Sequence, residues 1–106
     1  MASSYRRFEI LLPLAFNDGQ PVPNELIGRT LCDLRAKFGS VSSETQIIQG
    51  TWSHLGQVYR DDLLRVFVDV EDVSAMTEYF VAFKEQLKQR FQQLDVWITS
   101  YPIEVL

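Results

Sequence analysis

The chain has 106 residues, which fits one domain whose folding buries about two-thirds of the surface that the unfolded chain exposes. Hydrophobic residues make up 46% of the sequence and charged residues 23%, a composition that excludes a disordered chain. Ten Lys and Arg against fourteen Asp and Glu give a net charge of −4, which argues against a nucleic-acid or anionic membrane partner. We therefore expect a single soluble domain over residues 1–106.

The first half of the chain predicts a strand followed by a helix. Residues 5–12 alternate in the manner of a strand with one buried face. Asn24 is a candidate N-cap, and apolar residues then recur at helical spacing as far as Phe38. Gly39 fits the left-handed residue with which many helices end.

The next part of the sequence predicts a β-hairpin. Residues 46–52 and 58–70 have the composition of strands, and residues 53–56 between them have the composition of a turn. The second strand is longer than a sheet of this size requires. We therefore expect the hairpin to project beyond the sheet.

The last third predicts a helix and a final strand. Asp72 or Ser74 is expected to cap the helix. Its buried stripe is expected to comprise Met76, Phe80, Phe83, Leu87, Phe91 and Leu94. A strand follows at residues 96–99, Pro102 is expected to interrupt it, and residues 103–106 are expected to form a short tail.

The order of these elements is β-α-β-β-α-β. Right-handed crossovers fold this order into a four-stranded antiparallel sheet with both helices on one face, the ferredoxin-like α+β arrangement. The first and third strands are then central. No segment is able to cross a membrane, since the longest apolar run, residues 10–16, is far shorter than the ~20 residues required.

The predicted topology leaves one face of the sheet uncovered. By alternation, the outward residues are Arg7, Glu9, Leu11, Leu63, Arg65, Phe67, Trp97 and Thr99, with Tyr101 extending the row. Four of them are large and apolar, and a contiguous apolar patch usually marks a contact surface. Glu9 and Arg65 lie on adjacent strands and are expected to form an ion pair within this patch.

Three explanations for this apolar patch stay open. Self-association through the open face, giving a homodimer with a barrel-like pair of sheets, is favoured because two-fold homodimers are the commonest oligomers. In the second explanation, a small apolar ligand fills the space. In the third, the C-terminal tail, Tyr101–Leu106, folds back over part of the patch.

Few residues in the sequence suggest catalysis. His54, the only histidine, lies in the predicted turn, and Tyr59 and Asp61 follow it; these three are the weak candidates for acid–base chemistry. A solvated turn is the favoured explanation of His54, and packing within the first helix is the favoured explanation of Cys32, the only cysteine.

The sequence also lacks the motifs that bind metals, cofactors or RNA. It contains no phosphate loop, dinucleotide fingerprint, zinc-ligand spacing or RNA-recognition core, so we expect no metal, cofactor or nucleic acid. One cysteine permits no internal disulfide, and a cytoplasmic location is the expectation.

From Gly50 onward the chain resembles small, uncharacterised bacterial proteins of ferredoxin-like fold. The motif that carries this resemblance is Gly50-x-Trp52, a turn to Gly56, then Tyr59 and the acidic pair Asp61-Asp62. The resemblance implies the fold and no activity, and it implies Trp52, Gly56, Tyr59 and Asp61 as site positions. Alternatively, Trp52 and Tyr59 form a cross-strand aromatic pair and Gly56 supplies a positive φ.

We therefore expect a non-enzymatic domain that self-associates through its open face and encloses a small apolar ligand. The alternative is a small cofactor-independent enzyme of the dimeric α+β barrel type, acting on a hydrophobic substrate between sheet and hairpin. His54 distinguishes the two hypotheses, because the enzyme needs its imidazole in a pocket lined by Trp52, Phe67 or Trp97.

Overall fold

The computed structural model describes residues 4–106. Its elements are β1 (Tyr5–Pro13), α1 (Asn24–Phe38), β2 (Ser42–Ser43), β3 (Ile48–His54), β4 (Gln57–Glu71), α2 (Ser74–Arg90) and β5 (Ile98–Ile103). The antiparallel sheet has the order β2-β4-β1-β5, and β3 pairs with the part of β4 that extends beyond β1. The predicted α+β, ferredoxin-like class with β1 and β4 in the centre is confirmed, and the two-residue β2 is an addition to it.

One face of the sheet carries the hydrophobic core. Alternate residues of β1 and β4 meet apolar residues of both helices there, and the buried set includes Phe8, Ile10, Leu12, Val66, Val68, Leu34, Phe83, Leu87 and Phe91. The Phe80 ring lies parallel to that of Phe8 with a centroid distance of 4.2 Å, and it also stacks on Phe38 at 5.5 Å. Helix α2 therefore lies directly over β1, one of the two central strands.

A buried arginine links the two helices. Arg90, near the end of α2, retains only 9% of its side-chain exposure and donates to Asp33 at 2.8 Å and to Thr30 at 2.9 Å. The Thr30 hydroxyl in turn donates to the backbone carbonyl of Leu26. Both terminal nitrogens of Arg90 and the Thr30 hydroxyl therefore have partners, as buried polar groups require.

The helix ends differ from the sequence prediction in their caps. Helix α1 begins at Asn24 itself, so Pro23 is the capping residue, and neither helix has a side-chain hydrogen bond at its N-cap. Val73 takes the place predicted for Asp72 or Ser74 at α2, because Asp72 instead receives a hydrogen bond from Arg6 at 2.9 Å. Gly39 does end α1 in the left-handed conformation, as predicted.

The C-terminal segment also differs from the prediction. Strand β5 runs through Pro102, so residues 101–103 pair with β1 and do not fold back over the open face. Leu11 donates its backbone N–H to Trp97, and since hydrogen-bonded pairs alternate along an antiparallel ladder, the nitrogen of Pro102 lies on the outer edge. A proline is tolerated there because no ladder bond is lost.

Strand β3 and the first half of β4 form a two-stranded arm. It ends in a two-residue turn at Leu55 and Gly56, which have φ values of 51° and 79°. This is the primed turn that matches the twist of a hairpin, and it gives Gly56 the positive φ expected from the sequence. The molecule is elongated as a result, with a longest dimension of 49 Å.

Neither helix of residues 4–106 combines the length and the apolar character that a membrane-spanning segment needs.

Candidate functional site on the open face of the sheet

The end of the open face near the start of β1 is covered by an ion pair. Arg7 donates to both carboxylate oxygens of Asp69, its cross-strand partner, at 2.7 and 3.0 Å. Its guanidinium also lies 4.4 Å from the ring centre of Phe67. The hydrogen bond to Asp69 holds the pKa of Arg7 above its ordinary value, so this side chain stays positively charged. Phe67 is therefore covered by a charged group of its own sheet.

A second polar group occupies the middle of the face. Arg65 donates to Glu44 at 3.0 Å, and its Nε atom lies 3.9 Å from Glu9, so the predicted contact between Glu9 and Arg65 is present. Glu9 also accepts a hydrogen bond from the Tyr101 hydroxyl at 2.9 Å. These contacts fix the middle of the face in one arrangement, with Arg65 between two carboxylates.

The other end of the open face is an apolar cavity, which we call the arm cavity. It lies where the arm leaves the sheet and has a volume of about 480 Å³. Its lining residues are Leu11, Pro13, Asn17, Gly50, Thr51, Trp52, Asp61, Leu63, Gln93, Leu94, Asp95, Val96 and Trp97. Trp97 is 63% exposed and Leu94 is 64% exposed, so large apolar surface remains uncovered around this cavity.

The polar wall of the arm cavity is formed by the arm itself. Trp52 and Tyr59 are cross-strand partners whose rings stack at 4.4 Å, which confirms the predicted aromatic pair. The stack fixes the indole so that its Nε1–H donates to the Asp61 carboxylate at 2.5 Å. Gly50 lies directly opposite Asp61, and a Cβ atom at Gly50 would lie 3.1 Å from the Leu63 side chain. The glycine thus avoids a close contact with Leu63, which also lines the cavity.

The three weak catalytic candidates are not brought together. Asp61 lines the arm cavity, whereas Tyr59 lies behind Trp52 and donates its hydroxyl to Gln57 at 3.0 Å. His54 is exposed near the tip of the arm, with its ring centre 6.3 Å from that of Trp52, and it does not line the cavity. Cys32 is exposed on α1.

The loop between α2 and β5 supplies residues that the sequence prediction placed elsewhere. Leu94 was expected in the buried stripe of α2, but the helix ends at Arg90 and Leu94 lines the arm cavity. Asp95, also in the lining, forms an ion pair with Lys84 at 2.9 Å and accepts a hydrogen bond from the backbone N–H of Val96 at 2.9 Å. The positive φ of Gln92, which turns the chain just after the helix, is the local reason for the early end.

A second hollow lies between the helices on the covered side of the molecule. It is shallow and is lined mainly by polar residues of both helices, including Arg29, Lys37, Gln86 and Arg90. Tyr79 also lies there, and burial, together with the nearby Asp33 carboxylate, raises its pKa. Among residues 4–106, no three His, Cys, Asp or Glu side chains are grouped so that they could hold a metal ion.

Comparison with known proteins gives matches in structure only. No protein-family model matches the sequence, and no curated protein matches it significantly. A phage SAM lyase in complex with S-methyl-5′-thioadenosine is similar with a TM-score of 0.71 and 16% identity, over 99% of this chain and 93% of that chain.

Two divalent-cation tolerance proteins are similar as well. CutA1 of Thermus thermophilus has a TM-score of 0.63 and 16% identity, over 95% of this chain and 85% of that chain. CutA of Synechococcus elongatus has a TM-score of 0.61 and 10% identity, over 96% of this chain and 79% of that chain. At such identities the likeness establishes the fold: a small α+β chain of ferredoxin-like arrangement.

Proposed function

We propose that the protein binds a small, partly apolar ligand in the arm cavity and that a second copy covers the open face around it. The observation that supports this proposal is a difference between the two ends of the open face. Its polar end is neutralised by ion pairs within the chain, whereas its cavity end leaves Trp97 and Leu94 largely exposed. Exposed aromatic and aliphatic surface beside a cavity is typical of a binding site.

S-methyl-5′-thioadenosine is the ligand to test first. The cavity combines a flat indole surface at Trp97 with leucines and a small number of polar groups, which suits a heteroaromatic ring carrying an apolar substituent. A similar structure, the phage SAM lyase, was solved with this compound, which supports the choice.

Isothermal titration calorimetry with S-methyl-5′-thioadenosine tests the binding proposal. We expect saturable binding that Trp97→Ala weakens by about tenfold or more, the effect of losing one stacking or anchoring side chain. Val81→Ala on the outer surface of α2 is the matched control, since Val81 is exposed and lies outside the cavity. Absence of binding to the unaltered protein, or equal binding by the Trp97 variant, contradicts the proposal.

Sedimentation velocity at micromolar concentration tests self-association. We expect a homodimer, because a second copy removes the exposed apolar surface from water and two-fold dimers are the commonest closed assemblies. Phe67→Glu and Trp97→Glu place a charge on the face and are expected to give monomers. A monomeric unaltered protein, with both variants equally soluble and stable, contradicts self-association.

An enzyme that releases S-methyl-5′-thioadenosine from SAM is the second candidate. The similarity to the phage SAM lyase over nearly the whole length of both chains favours it over other enzymes. His54 does not support the acid–base role considered from the sequence, because it is exposed near the tip of the arm and outside the cavity. Incubation with SAM, followed by chromatography for S-methyl-5′-thioadenosine, decides between a binding protein and a lyase.

A further inference from the structure

The charges around the arm cavity restrict the ligands that it accepts. Two carboxylates, Asp61 and Asp95, line the cavity, and none of the described Lys, Arg or His side chains does so. Asp95 is partly neutralised by its contact with Lys84 at 2.9 Å. Asp61 has no such cationic partner among the ion pairs of residues 4–106, so its negative charge dominates the polar wall.

The Asp61 carboxylate is also held in place. Its Oδ2 atom accepts the Trp52 Nε1–H at 2.5 Å, and the indole is fixed by its stack on Tyr59. Within the part of the chain that the structure describes, no side chain donates to the second oxygen, Oδ1. Gly50, the cross-strand neighbour, contributes no side chain that would cover it.

We propose, building on the binding function proposed above, that Asp61 recognises the ribose hydroxyls of a nucleoside ligand and excludes phosphorylated nucleotides. A fixed carboxylate with a free oxygen accepts hydrogen bonds from a diol, as acidic residues do with ribose in dinucleotide-binding proteins. The same charge repels a phosphate, which would lose water without gaining a cationic partner. The indole of Trp97 then stacks on the base.

Two nucleosides, one nucleotide and two variants test this proposal by calorimetry. Adenosine, 2′,3′-dideoxyadenosine and 5′-AMP differ in the hydroxyls and in the phosphate. We expect the unaltered protein to bind adenosine at least about tenfold more tightly than dideoxyadenosine, the usual effect of a charged hydrogen bond. We also expect it to bind adenosine more tightly than 5′-AMP, because the Asp61 carboxylate repels the phosphate.

Asp61→Asn is expected to reduce adenosine affinity by about tenfold while leaving the affinity for dideoxyadenosine unchanged. Asp62→Asn is the matched control: it removes the same charge from the adjacent residue, which is exposed and, by strand alternation, points to the opposite face. Its affinities are expected to equal those of the unaltered protein.

The outcomes separate the two proposals. If S-methyl-5′-thioadenosine binds but adenosine, dideoxyadenosine and 5′-AMP bind equally well, the role of Asp61 is refuted and the binding function stands. If Asp61→Asn weakens adenosine and dideoxyadenosine alike, the residue has a structural role and the inference is again refuted. If no compound binds, both proposals fail. The comparison of ligands on the unaltered protein remains decisive should the Asp61 variant fold poorly.

Discussion

Alternate residues of β1 and β4 point to opposite faces of the sheet, and different interactions stabilise the two faces. On the covered face, Phe8, Ile10 and Leu12 are 3%, 1% and 0% exposed and belong to an apolar core formed with residues of the helices and β4. On the open face, Arg7 and Glu9 of the same strand form ion pairs and hydrogen bonds with neighbouring strands. The covered face depends on the exclusion of water, and the open face on charges that neutralise one another.

The difference between the two faces indicates where a ligand or a second copy of the chain can bind. Although the buried Nε atom of Arg65 has no hydrogen-bond partner among residues 4–106, ion pairs within the single-layer sheet neutralise the charges at the polar end of the open face without a second copy. They do not reach the arm cavity, where Trp97 and Leu94 stay exposed. These two uncovered apolar side chains line the cavity at the point where the arm leaves the sheet.

The largest effect is expected on the covered face, and truncating one phenylalanine on each face measures the difference between them. Phe80→Ala removes a ring that stacks on Phe8 and Phe38, and we expect it to lower the free energy of unfolding by about 3–5 kcal/mol. Phe67→Ala on the open face is expected to cost about 1 kcal/mol in the monomer, since its ring is only partly buried. Urea unfolding measures both.

The dependence of these costs on protein concentration sharpens this comparison. If a second copy covers the open face, the cost of Phe67→Ala rises with protein concentration, because dimerisation stabilises only the folded state. The cost of Phe80→Ala is expected to stay the same. Equal costs for the two substitutions at low concentration would contradict the difference between the faces.

A smaller effect on the free energy of unfolding is expected from breaking the ion pair between Arg90 and Asp33, which links the two helices. Asp33→Ala leaves the buried Arg90 without its carboxylate partner, and we expect a loss of about 1–3 kcal/mol in unfolding free energy. Glu85→Ala is the control, because its pair with Lys88 is exposed and is worth at most about 0.5 kcal/mol. Equal losses for Asp33→Ala and Glu85→Ala would show that Arg90 is not held by Asp33.

An increase in stability is expected at the tip of the arm. Leu55 is 90% exposed and has a φ of 51°, a conformation that Asn adopts more readily than Leu. Leu55→Asn is therefore expected to raise the free energy of unfolding by about 1 kcal/mol. Thermal unfolding measures the change, and Val58→Asn, at an exposed position of β4 near the turn, provides the control that should not be stabilised.

The smallest effect is expected at high pH. Burial raises the pKa of Tyr79 above its ordinary value of about 10, so the folded state favours the neutral phenol. Its contribution to stability is present below pH 10 and is lost as the pH rises through the folded-state pKa. Between pH 9 and pH 11, the unaltered protein should lose more stability than Tyr79→Phe. Equal losses would refute the shift.

The sequence was sufficient for the fold because its apolar residues follow the periods of strands and helices. The alternation in β1 and β4 placed Phe8 and Arg7 on opposite faces correctly. Caps and ends were predicted less well. Asp72 has the side chain of an N-cap, but a tertiary contact with Arg6 competes for it, and no local pattern reveals such a partner.

Only part of the lining of the arm cavity can be predicted from the sequence. Leu11, Leu63 and Trp97 follow from strand alternation, and all three line it. Leu94 and Asp95 lie in a loop after α2, where no periodicity applies, and Gln92 ends the helix through a positive φ that its residue type does not predict. The role of Gly50 depends on its cross-strand neighbour Asp61, and therefore on the register of the hairpin.

Pro102 has a consequence for the behaviour of the chain at high concentration. Its ring occupies the outer margin of β5, where an incoming strand would need an amide hydrogen to continue the ladder. Fibrous growth by strand addition is therefore blocked along that side of the molecule. The proline thus protects this edge in a molecule whose Trp97 and Leu94 side chains are largely exposed.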